Sequence, residues 1–129
     1  MSGPDAQRRA ADAWFAKADN DFLDIDNNMA ASRTPWDAVC FHAQNPAEKS
    51  LKAFLIGHGC LPPGTHDLVT LLAECATILP TLSSLQGHCQ LLSVYAVSTR
   101  FPGSGIEPTA VIGPTVVAAA RRARAAVTR

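Results

Sequence analysis

Between Ala11 and Met29 the apolar residues recur at spacings of three and four, and no other feature constrains the chain as strongly. Ala11, Trp14, Phe15, Ala18, Phe22, Ile25 and Met29 share one stripe of a rod with 3.6 residues per turn. The acids Asp12, Asp19, Asp24 and Asp26 fall mostly off that stripe. The pattern predicts an amphipathic helix from about Asp5 to about Ala31. A rod of this length with one apolar stripe must bury it against other helices or a sheet.

The rest of the chain supplies helices. In "SRTPWD" Thr34 can cap, Pro35 suits a first helical position and Asp37 suits the positive end of the helix dipole. A second helix is expected from about Pro35 to about Ile56, with Trp36, Cys40, Ala43, Ala47 and Phe54 on its apolar face. Pro46 removes a backbone donor, so it either kinks this rod or, with Asn45 as cap, starts a new helix. "GHGCLPPGTHD" reads as a loop. Thr65 is the expected cap of a third helix, about His66 to Leu79, that turns Leu68, Leu71, Leu72, Cys75 and Leu79 inward and stops at Pro80. A fourth helix, about Ser83 to Ser98, carries Leu85, Cys89, Leu92 and Tyr95 or Ala96. After the loop "RFPGSGIEPTAVIGP", the alanine-rich tail predicts a fifth helix with a basic side, about residues 108–127. "TAVIG" is the one run with strand character, and it is too short to pair. These elements predict an all-α antiparallel up-and-down bundle of four to five helices, a single domain over residues 1–129 with its core in about 5–102.

Composition narrows the function classes. At 129 residues the chain can hold one core, and 47% hydrophobic with 17% charged residues is a folded composition. Formal net charge is +0, so no global field recruits nucleic acid. The charges are nevertheless segregated. Six of the eleven acids lie at or before Asp26, and five of the eleven bases at or after Arg100. They form two solvated faces or attract partners of opposite charge. No signal-like apolar segment opens the chain and no run is long enough for a membrane span, so a cytoplasmic location without membrane association is expected. Cys40, Cys60, Cys75 and Cys89 are spaced by 20, 15 and 14 residues, form no C-x-x-C pair, and sit in apolar surroundings. Buried reduced thiols are expected, with no metal and no cofactor.

Three short stretches could carry chemistry. "FHAQNPAEKSLKAFL" sets His42, Gln44, Glu48, Lys49 and Lys52 within one helical segment. Glu48 and Lys52 are four apart in the favourable ion-pair order, and Lys49 and Lys52 are helix neighbours. Two lysines so placed can hold phosphate oxygens, or they form a salt-bridged solvated face. In "THDL", His66 sits where a helix begins and could hydrogen-bond an anion or exchange a proton. In "YAVSTRFP", Arg100 closes a helix, where the dipole alone favours it, or makes a bidentate phosphate contact. No glycine-rich phosphate loop and no nucleophile triad motif is present.

"FHAQNPAEKSLKAFLIGHG", "THDLVTLL" and "YAVSTRFP", in this order and spacing, resemble the HEPN domain family over roughly residues 11 to 102. The family pattern is similar to "HAQQAAEKxLKAxL", then "HDLxxLL", then "RYP". The resemblance implies a four- or five-helix bundle, usually a homodimer, associated with nucleotide or RNA. It also implies partnership with a small nucleotidyltransferase in toxin–antitoxin pairs. Residue by residue, the implied binding positions are Gln44, Glu48, Lys49, Lys52, His66, Asp67 and Arg100.

The chain departs from the pattern in places. "QQAAEK" is "QNPAEK" here, and "RYP" is "RFP", so Phe101 lacks a phenolic hydroxyl. Ribonuclease members carry an Arg followed after four to six residues by a His. No His follows Arg100, and eight residues separate Arg33 from His42. The resulting expectation is a non-catalytic module that binds nucleotide or RNA phosphate, with Trp36 or Tyr95 stacking on a base. The alternatives are a partner subunit of a nucleotidyltransferase acting by protein contact, and a divergent metal-independent ribonuclease.

Overall fold

A computed structural model of the chain describes residues 3–98 and 108–128. Six α-helices make up the described residues: α1 (Pro4–Met29), α2 (Trp36–His42), α3 (Gln44–Gly57), α4 (Leu68–Ile78), α5 (Gln86–Ser98) and α6 (Gly113–Ala126). A 3₁₀ segment, Pro80–Leu85, leads into α5. No strand occurs among the described residues, and "TAVIG" is a turn that runs into α6. The fold is the expected all-α bundle. No described helix is long and apolar enough to cross a membrane.

The 26-residue α1 starts with Pro4 at a position where a missing N–H costs nothing, and Asp5 in its first turn pairs with Arg8. Its buried positions Ala11, Ala18, Phe22 and Ile25, with the half-buried Phe15 and Met29, repeat four, three, four, three, four. That near-heptad seam suits a long antiparallel helix partner. The partner is α3, and the pairing is antiparallel: Lys49 meets Asp21, while Gly57 lies opposite Ala11. A Cβ on Gly57 would stand 3.3 Å from that of Ala11, so the small pair lets the two helices close at this end.

α3 is the central element. It buries Pro46, Ala47, Ser50, Leu51, Ala53, Phe54 and Leu55, a wider face than one stripe, because helices surround it. Buried Ser50 satisfies its hydroxyl on the Pro46 carbonyl at 2.6 Å. One continuous core joins residues from all six helices, including Ile25, Val39, Leu51, Leu71, Leu92 and Val116.

Three boundaries differ from expectation. The second predicted helix is two helices divided at Ala43. Pro46 sits in the first turn of α3, where its absent N–H is tolerated. Its ring opposes a helical carbonyl at His42, so the rod opens one residue later, at Ala43. Asn45 therefore lies inside α3 and caps nothing. The third helix is capped by Asp67, whose Oδ1 accepts from the Val69 amide at 3.3 Å, and not by Thr65. Thr65 Oγ1 instead accepts from the Asp67 amide at 3.1 Å. This local turn delays the helix to Leu68. Pro80 ends α4 as expected but opens the 3₁₀ segment, and the α-helix follows only at Gln86.

The loop after α3 begins as a Schellman turn. Cys60 N donates to Leu55 O, Gly59 N donates to Ile56 O, and Gly59 takes φ 77°. Cys40, Cys75 and Cys89 are buried, but Cys60 is exposed on this loop, against the expectation of four buried thiols. All four are unpaired. Burial pushes the Cys40 and Cys89 thiols up to about 11 and the Cys75 thiol to about 12.

Candidate functional site

Glu48 organises the polar cluster. Its Oε2 accepts from Lys52 Nζ at 3.0 Å, one helical turn on, and from His66 Nδ1 at 2.9 Å across the α3–α4 loop. An ionised carboxylate can only accept, so the proton of that bond sits on Nδ1 and His66 Nε2 faces outward. Gln44 Nε2 donates to the His66 carbonyl at 2.9 Å, fixing the backbone of the same residue. Glu48 and Lys52 are only 13% and 12% exposed, whereas the His66 side chain is 86% exposed. A mostly desolvated ion pair therefore holds a fully presented imidazole.

The expected site residues divide into groups. Gln44, Glu48, Lys52 and His66 come together. Lys49 turns toward α1, where its Nζ bonds Asp21 Oδ2 at 2.8 Å. Asp67 is used in capping α4 and in accepting from Thr70 Oγ1 at 2.6 Å. Arg100, Phe101 and Pro102 lie outside the described residues. His42 ends α2, exposed, with its ring edge against Phe41. The expected base-stacking role does not suit Trp36: its ring is packed against the backbone where α6 begins, and a Cβ on Gly113 would fall 2.2 Å from it. Tyr95 packs half-buried against the core.

Two contributors escaped the sequence reading. Trp14 lies beneath Lys52, whose ammonium is 5.9 Å from the ring centroid. Asp21 neutralises Lys49. Both sit on α1, and only the antiparallel α1–α3 pairing brings them to α3. No group of three or more His, Cys, Asp and Glu side chains converges as a metal site among the described residues.

The segregated charges also find a use that neither open reading contained: they meet each other. Arg124 forks onto Asp19, with Nε to Oδ1 at 3.0 Å and Nη2 to Oδ2 at 3.2 Å, and Arg121 pairs with Asp26. Each guanidinium also covers an α1 ring, Arg124 over Phe15 at 4.3 Å and Arg121 over Phe22 at 4.7 Å. Two of the N-terminal acids, Asp19 and Asp26, and two of the C-terminal bases, Arg121 and Arg124, thus join α1 to α6.

No curated protein and no solved structure matches the chain. The family model of the HEPN domain matches residues 11–127, which takes in α6 as well as the motif-bearing helices. With that match spanning nearly all of the bundle and containing the Glu48 cluster, the chain belongs to the HEPN domain family.

Proposed function

We propose that this bundle binds nucleotide or RNA phosphate at the corner where α3 meets the start of α4, and that it acts by binding and not by cleavage. The observation that carries the reading is the pair of hydrogen bonds that Lys52 and His66 donate to Glu48. It holds a cation and an exposed ring nitrogen side by side on rigid backbone. Phosphate oxygens take charge from the ammonium, and the imidazole donates to them from Nε2 in its doubly protonated form. The absence of a His after Arg100 argues against the family's usual pair for RNA cleavage.

A second reading has its own support. Lys49 and Lys52 already face carboxylates, so the cluster's charge is largely balanced within the chain. A balanced, structured corner suits a protein surface, such as that of a small nucleotidyltransferase or of a second copy in a homodimer.

Thermal-shift titration separates the two readings. The ligands are ATP, GTP and a short single-stranded RNA, run on wild type and on His66→Ala with Lys52→Ala. A ligand at about 100 times its Kd adds roughly 2.7 kcal/mol of stability. The phosphate reading expects a shift in wild type that the double variant loses. No shift at millimolar ligand removes that reading and leaves protein contact.

A further inference from the structure

We infer that Trp14 is the platform for an unpaired nucleobase whose phosphate is held by Lys17 and Lys49. The inference goes beyond the phosphate-binding reading: base and phosphate would contact α1 and the α1-facing side of α3, next to the corner that Glu48 holds.

Trp14 is half-buried on α1 and lines a surface cavity of about 550 Å³ together with Ala13, Lys17 and Lys49. That volume lies within the range of small-ligand pockets. Two of its four lining residues are cationic, one is an indole, and none is acidic. A second cavity, of about 590 Å³, adjoins the same indole and is lined by the uncharged Gln7, Ala10, Ile56 and Leu61 among others. The indole thus separates a basic compartment from an uncharged one. A mononucleotide has the same division between its phosphate and its base.

The charges agree with this assignment. Lys17, Lys49 and Lys52 stand around Trp14, and Asp21 and Glu48 oppose them, leaving one excess positive charge. Lys17 lies three residues after Trp14 on α1, hence on the same face. It has no hydrogen-bond or ion-pair partner among the described residues. Lys49 is held by Asp21 at 2.8 Å, with both side chains roughly one-third exposed or less, 31% and 27%. A lysine ammonium is a compact charge on a flexible stem, so it can turn from Asp21 to a phosphate without moving the backbone. Among the described residues the other cation-covered rings, Phe15 and Phe22, lie under arginines that acids already engage. Trp36, the other tryptophan, is occupied by its contact at Gly113. Stacking on an aromatic ring discriminates little between bases, so the platform accepts any base that is not already paired.

The test is fluorescence titration with AMP, inorganic phosphate and a short single-stranded RNA without a terminal phosphate. Wild type, Trp14→Leu, Lys17→Gln and Asp21→Asn are compared, each first shown to be folded by circular dichroism. AMP is expected to quench wild type saturably and to bind about tenfold more tightly than inorganic phosphate, in line with one stacked base. Trp14→Leu should remove that base preference while leaving phosphate affinity, read by thermal shift, within about threefold. Lys17→Gln should weaken both ligands, and Asp21→Asn, by freeing Lys49, should tighten both several-fold. Quenching by the RNA but not by AMP keeps the platform and assigns it to a polymer. AMP binding with no base preference, or with a preference that survives Trp14→Leu, overturns the platform and leaves the phosphate site standing. No response to AMP, phosphate or the RNA in any variant, Asp21→Asn included, overturns the platform and the phosphate contact alike.

Discussion

α1 meets a charged helix on each of two sides, and the two seams are built differently. Toward α6 the cations are arginines. Arg124 forks onto Asp19 and lies over Phe15, and Arg121 makes a single bond to Asp26 and lies over Phe22. Toward α3 the cations are lysines. Lys49 bonds Asp21, and Lys52 bonds Glu48 and overhangs Trp14. The guanidinium is planar and its donors match a carboxylate and a ring face at once, whereas an ammonium binds one point and swings easily. The α6 seam is therefore a clamp, while the α3 side can exchange its partners. Among the described residues, exposed His66 and unpaired Lys17 stand on the exchangeable side.

The largest effect expected is on the seat of α6, where its first turn lies against Trp36 of α2. Gly113→Ala places a methyl 2.2 Å from the Trp36 ring, so either the ring or the start of α6 must move. Overpacking of this kind costs roughly 1–3 kcal/mol. Urea unfolding should report that loss, and phosphate binding at α3 should persist.

Glu48→Gln comes next. It removes the carboxylate from Lys52, which is only 12% exposed, and from His66. A loss of about 1–2 kcal/mol is expected by chemical denaturation, because a poorly solvated cation loses its counter-charge. The same variant should bind phosphate more tightly, which a merely structural Glu48 would not do.

Arg124→Lys keeps the charge and loses the fork and the ring contact. At an exposed seam, with Asp19 59% exposed, the expected cost is about 0.5–1 kcal/mol. It should shrink further in high salt. A cost as large as that of Glu48→Gln would erase the distinction between clamp and exchangeable side.

The smallest effects concern the thiols. Cys60 should be the thiol that reacts rapidly with a disulfide reagent at mild pH, since it is exposed while Cys40, Cys75 and Cys89 are buried. Burial raises those three from 9.0 to about 11, 12 and 11. Above pH 9 the unfolded chain sheds these protons before the folded chain does. Their contribution to stability is thus complete below about pH 9 and lost as pH rises through 11 to 12. Denaturation midpoints across pH 8 to 11 check the sign.

The helical period from Ala11 to Met29 was legible because one face of α1 packs along its whole length. The inward residues of α4 were legible for the same reason. The start of α4 was misplaced by two residues because Thr65 and Asp67 are both good caps, and only backbone geometry chooses between them. The break at Ala43 lies upstream of the proline that causes it, so composition points to the wrong residue. Glu48, Lys52 and His66 were legible as candidates, through helical spacing and family motif. Their bond across the loop was not, since it depends on how "LPPGT" folds. The charge segregation was visible in the sequence, but its meaning was not. Asp19 and Arg124 are 105 positions apart, and no local rule pairs residues at that separation.

The length of α1 has a mechanical consequence. Its 26 residues span about 39 Å, and its packing against the rest of the bundle runs from Ala11, opposite Gly57, to Met29, set against the core. The first turns, up to Ala10, lie ahead of both seams and are held more lightly, through Gln7 against Gly59 of the loop after α3. Beyond them the rod is packed along α3 and tied to α6 by the Arg121 and Arg124 side chains. In amide hydrogen exchange the step from fast to slow should fall near Ala11, and residues beyond it should exchange only when the bundle as a whole opens.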